Sequence, residues 1–132
     1  MTESLAVHQS GKCDLYTAHN LPDECPWRTR TQIRDEILTF MNIEEFGKPE
    51  LWADYGAYDH VAFCQIFGTM MDLPKGFPMF THDLQQYAEA LGNPVLPEQE
   101  VSVHHALADA KWAWHIWQVL QEVEESHAAM AV

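Results

Sequence analysis

Three groups of residues in this chain have the types and spacing to do chemistry. The first is Leu51-Trp52-Ala53-Asp54-Tyr55-Gly56-Ala57-Tyr58-Asp59-His60-Val61-Ala62-Phe63. It reads as a strand stopped by Gly56 and followed by a helix. That places Asp59 just past the carboxyl end of a strand, where open α/β sheets gather their ligands. Asp at the start of a helix also serves as a plain N-cap, and the local pattern leaves both roles open. The second group is His104-His105-Ala106-Leu107-Ala108-Asp109-Ala110. If a helix starts near His105, His104 stands at its mouth and Asp109 one turn in. A His five residues ahead of an Asp is a common spacing. Even so, a mobile base beside a metal-binding carboxylate is what two-metal phosphodiester hydrolysis asks for.

The third group is cationic. All three arginines, Arg28, Arg30 and Arg34, fall in one short window around Thr29-Arg30-Thr31-Gln32-Ile33. Arg30 and Arg34 lie four apart on one face of a predicted helix, with no carboxylate three or four residues away. Both sit in the first turns, where the helix macrodipole disfavours cations. They read either as tertiary salt bridges in a very acidic protein or as a clamp for phosphates.

The elements that must position these groups follow from hydrophobic periodicity and turn signals. Ser4–His8 and Cys13–Ala18 flank Gln9-Ser10-Gly11-Lys12 and predict a β-hairpin, and Asn20–Pro26, with two prolines, predicts a loop. A helix is expected from about Thr29 to Asn42, marked by Ile33, Ile37, Leu38 and Met41. Glu50–Tyr55 reads as a strand, and a helix follows from about Asp59 to Phe67. The Pro- and Gly-rich Asp72–Pro78 is a loop. Thr81 is the expected cap of a helix over His82–Leu91 that Gly92 ends. A last helix spans about His105 to Glu125, with Leu107, Ala110, Trp114, Trp117 and Leu120 at helical spacing. Its cluster of Trp112, Trp114 and Trp117 reads as packing. The fold class these elements define is α/β, rich in helix, with a short mixed sheet.

At 132 residues the chain is long enough for one domain with a real core. Only Met1–Glu3 and the tail Ser126–Val132 are expected to be loose. No stretch reaches the length of a membrane span, and Met1–Lys12 lacks the pattern of a signal peptide. Three cysteines without a Cys-x-x-Cys spacing point to reduced thiols in the cytoplasm rather than a disulfide frame or zinc site. The net charge is −13, from 20 acidic and 7 basic residues. This argues against a protein that coats nucleic acid through its own cations. It is compatible with an enzyme that meets phosphate through metal ions held by carboxylates.

Trp52-Ala53-Asp54-Tyr55-Gly56-Ala57-Tyr58-Asp59-His60-Val61-Ala62-Phe63-Cys64-Gln65 resembles the second exonuclease motif of the small bacterial polyadenylate-specific 3′-exoribonucleases. His104–Ala110 resembles their third motif, the His-x4-Asp of the DEDDh superfamily, and Trp27–Arg34 is similar to a further segment. The likeness runs from about Ser4 to Gln121. It implies a single exonuclease-like domain with an RNase H-like fold, Mg²⁺ or Mn²⁺ as a pair of ions, and 3′-5′ degradation of single-stranded RNA. Carried onto this chain, it makes Asp59 and Asp109 metal ligands, His104 the general base, and Arg28, Arg30 and Arg34 contacts to RNA.

The same resemblance carries a departure. The family opens on a strand ending in Asp-x-Glu, whereas this chain starts at the hairpin, with Glu3 in Met1-Thr2-Glu3 as the nearest acid. The expectation is an N-terminally truncated fold. Its first strand would be encoded upstream or supplied by another chain, and a homo-oligomer or a strand-donating partner is expected. A non-catalytic relative that binds RNA or protein is the alternative.

Overall fold

The computed structural model describes residues 28–100 and 105–131. The predicted hairpin and the loop after it, Glu3, Cys13, Cys25 and His104 all lie outside those residues. The described part is helix-rich with a small parallel sheet, and its contacts divide into two compact units.

The first unit takes residues 28–49 and 64–76. Its main helix, α1, is Arg30–Met41. Thr29 and Gln32 form a reciprocal capping box: the Gln32 amide N–H donates to Thr29 Oγ1 (3.2 Å) and the Thr29 N–H donates to Gln32 Oε1 (2.8 Å). Such a box satisfies two donors that the first turn would otherwise leave open. Ile33, Ile37 and Met41 make a half-buried stripe, and no residue of α1 is fully buried. A one-turn helix, α2, follows at Ile43–Phe46 and ends at Gly47 in the left-handed region (φ 81°).

The second unit takes residues 50–63, 77–100 and 105–131. Strand β1 is Trp52–Ala53, helix α3 runs Ala57–Phe67 with its last four residues counted in the first unit, strand β2 is His82–Asp83, helix α4 is Leu84–Ala90 and helix α5 is Ala106–Met130. β1 and β2 pair in parallel with Trp52 opposite His82 and Ala53 opposite Asp83. The rings of that first pair stack at 4.5 Å, the cross-strand contact that stabilises short sheets. The core lies where α4 packs on α5: Leu84, Ala88, Ile116 and Leu120 are buried, with Trp52, Tyr87, Trp112 and Trp117 packed around them.

Several expectations need correction. The strand expected over Glu50–Tyr55 is confined to two residues, because Tyr55 turns into the left-handed region (φ 53°) and ends the extended backbone. Thr81 is not a helix cap. His82 and Asp83 extend to pair with β1, and Asp83 caps α4 instead, accepting from the Gln85 N–H. The sheet of the described residues is purely parallel rather than mixed. The tail expected to be loose from Ser126 continues as helix to Met130, since Ser126-His127-Ala128-Ala129-Met130 contains no helix breaker. Among the described residues no helix is long and apolar enough to cross a membrane.

Candidate active site

The loop between β1 and α3 is built around one carboxylate. Asp83 Oδ2 accepts from the Gly56 N–H (2.8 Å), while its Oδ1 accepts from the Gln85 N–H (2.8 Å) and caps α4. Gly56 is required by space: a Cβ there would stand 2.9 Å from Ala53 Cβ and 3.2 Å from Thr81 Cγ2. Gln85 reaches back with its side-chain amide to Asp54 Oδ1 (2.6 Å). His60 Nδ1 and Thr81 Oγ1 are 2.9 Å apart, tying α3 to the segment ahead of β2. Asp54, Asp83, Gln85 and Thr81 thus hold the frame of the turn.

Asp59 stands outside that frame. It is the third residue of α3 and solvent-exposed, so it is not the N-cap that its sequence position also allowed. A carboxylate in a first turn is favoured by the open N–H groups there. Tyr55 and Tyr58, on the same turn, are 70% and 87% exposed.

Asp109 is half-buried in the first turn of α5. Its Oδ1 accepts from the Gln99 side-chain amide (2.8 Å), which fixes the direction of the carboxylate. His105 caps α5, its Nδ1 accepting from the Ala108 N–H at 3.4 Å.

Among the described residues, no three His, Cys, Asp or Glu side chains come together in a group that could hold a metal ion. Two hard cations need many more oxygen ligands than two carboxylates provide. Asp59 and Asp109 therefore do not by themselves fit a two-ion centre.

The arginines belong to the first unit and the two aspartates to the second. Arg28 pairs with Glu36 at 2.9 Å and Arg34 lies 3.6 Å from Asp35, with all four side chains well exposed to solvent. Arg30 is exposed and forms no ion pair among the described residues.

Beside β1, a groove of about 420 Å³ is lined by Glu50, Trp52, Ala110, Ala113, Trp114 and Trp117. The Trp117 indole N–H is buried and has no hydrogen-bond partner among the described residues. Trp114, read as packing from the sequence, is 59% exposed and stacks on Trp117 at 5.0 Å. Sequence reasoning also missed the roles of Gln85 and Gln99. Nothing in their spacing announces a hydrogen bond to a carboxylate 31 or 10 residues away.

No family model matches the chain. The chain is similar to proteins named 3′-5′ exoribonuclease from two strains of Mycobacterium tuberculosis. It is 47% identical to each over 85 residues, covering 64% of this chain and 51% of the relative. The chain thus spans about half the length of the curated relatives it matches.

Proposed function

We propose that this chain is a 3′-5′ exoribonuclease, or the larger part of one, acting on single-stranded RNA with Mg²⁺ or Mn²⁺. The similarity to proteins named for that activity, 47% identical over 85 residues, carries the reading. In this reading the fold is the RNase H-like one of the DEDDh superfamily. Asp59 and Asp109 are metal ligands, His104 is the general base, and Arg28, Arg30 and Arg34 meet the RNA.

The reading needs more carboxylates than Asp59 and Asp109. A strand ending in Asp-x-Glu and laid along β1 is the simplest source. Two features of the second unit suit such a strand. The sheet of the described residues has only two strands, so β1 has an edge that β2 does not cover, and a groove lined by Glu50, Trp52 and Trp117 lies beside it. Strand addition of this kind draws its affinity from main-chain hydrogen bonds.

The test is shortening of a 5′-labelled single-stranded RNA with Mn²⁺, with and without a synthetic peptide of that strand. One-nucleotide steps from the 3′ end are expected. Asp109→Asn should abolish them, and His104→Ala should slow them by about 10²-fold or more. Undiminished activity in Asp109→Asn would end the metal assignment. A second reading, a non-catalytic relative that binds RNA or a protein, is favoured by the shortage of ligands among the described residues. Absence of cutting under both conditions, with RNA binding retained, would establish it.

A further inference from the structure

Tyr55 has a backbone conformation that its side chain disfavours and a ring left largely in solvent. Its φ is 53°, in the left-handed region where bulky residues are outliers and where Gly, Asn or Asp would be easier. Its ring is 70% exposed. No hydrogen bond or ring contact to a described residue holds it. Its neighbours, by contrast, are pinned on both sides: Asp54 by Gln85 (2.6 Å), and Gly56 by Asp83 through its N–H (2.8 Å) and by the His60 N–H through its carbonyl (3.0 Å). The glycine of the turn is committed to the close approach of Ala53 and Thr81, so it cannot be exchanged with position 55. A strained residue that the surrounding bonds over-determine, and whose ring stays largely exposed, points to function.

We propose that Tyr55 is a nucleobase-stacking residue, its ring receiving the 3′-terminal base of a single-stranded RNA. The inference rests on the exoribonuclease reading above. The same turn leads directly into the first turn of α3, which carries Asp59. Net charge bears on it too. With 20 acidic and only 7 basic residues, the chain has little with which to hold phosphates. Contacts to base faces then add affinity beyond what the few cations supply, and exposed aromatic rings are the side chains that hold unpaired bases.

The experiment titrates two 5′-labelled oligoadenylates, one intact and one with an abasic 3′-terminal residue. The full chain is used as wild type, Tyr55→Phe and Tyr55→Asn, with Ca²⁺ in place of Mn²⁺ to keep the RNA whole. Tyr55→Asn should melt a few degrees higher, by about 2–8 °C, because asparagine accepts the left-handed region. It should also bind intact RNA roughly 5- to 100-fold more weakly. Tyr55→Phe should bind as wild type does. Wild type should lose a similar factor on the abasic RNA, and Tyr55→Asn should lose nothing further. A Tyr55→Asn protein that binds as tightly as wild type, or still distinguishes abasic from intact RNA, overturns the role of Tyr55 alone. A wild type that binds no RNA overturns the exoribonuclease reading with it.

Discussion

The carboxylate of Asp83 serves two elements at once, and its removal should cost more than the loss of an ordinary helix cap. Oδ1 accepts from the Gln85 N–H and Oδ2 from the Gly56 N–H, both at 2.8 Å. Losing an Asp N-cap costs about 0.5–2 kcal/mol. Gly56 is buried, so its N–H left without an acceptor adds about 1–3 kcal/mol. Asp83→Ala should therefore destabilise by roughly 2–4 kcal/mol. In urea, with a slope of about 2 kcal/mol per molar, the unfolding midpoint falls by about 1–2 M. Two further variants divide the effect. Serine at 83 is a good cap but too short to serve Gly56 as well, so Asp83→Ser should recover only the cap. Asparagine keeps one oxygen and turns an amide N–H₂ toward the other donor, so Asp83→Asn should lie between alanine and wild type. The assay is equilibrium urea unfolding followed by circular dichroism and tryptophan fluorescence. If Asp83→Ala and Asp83→Ser both unfold within about 0.5 kcal/mol of wild type, the surface norm for substitutions, the two-oxygen account of the turn is wrong.

Further outcomes follow from the same structure. Tyr87 donates to Glu124 (2.5 Å) and accepts from Gln121 (2.9 Å), and burial, then Glu124, push its phenol from 10.0 up to about 12. The fold therefore favours the neutral ring: that stability is fully present below pH 10 and is lost as pH rises toward 12. Ultraviolet titration should show one late tyrosine that disappears in Tyr87→Phe. If Arg30 and Arg34 meet phosphates, alanine at either should flatten the salt dependence of RNA binding, by about one unit of slope each at most; an unchanged slope with a lowered melting temperature would make them structural. Leu120 is fully buried in the α4–α5 core, so Leu120→Ala should cost about 2–5 kcal/mol in the urea assay.

Much of the frame was legible because it depends on local chemistry. The apolar spacing of α1 and α5 and the break at Gly92 are short-range signals, and those helices begin within a residue or so of their expected starts. The errors came where tertiary contact overrode them. Thr81 and Asp83 are both good caps, and only the pairing of His82 and Asp83 with β1 decides between them. The strand at Glu50–Tyr55 shrank because a tyrosine occupies a left-handed position that no local pattern predicts. The site was half legible. Asp54, Asp59 and Asp83 look alike in the sequence, yet two of them are used by the turn and one is left open. That division rests on Gln85 and Gly56, residues distant in sequence or silent in chemistry.

The way the acids are divided bears on how the chain works. A carboxylate already accepting two backbone N–H bonds, as Asp83 does, has its lone pairs directed inward and is a poor candidate for an incoming ion. Asp54, held at 2.6 Å by Gln85, is similarly committed. Asp109 keeps its second oxygen out of its bond with Gln99 and is held in direction without being consumed. Asp59 is open on the surface of α3. The ordered bonds of the second unit thus consume Asp54 and Asp83, hold Asp109 by one oxygen and leave Asp59 exposed. A turn with only a structural task would do better with its acids satisfied and with asparagine or glycine at position 55. The open Asp59 in the first turn of α3 and the strained, exposed Tyr55 in the turn before it are two departures from that optimum, and the proposed docking of an RNA end would account for both.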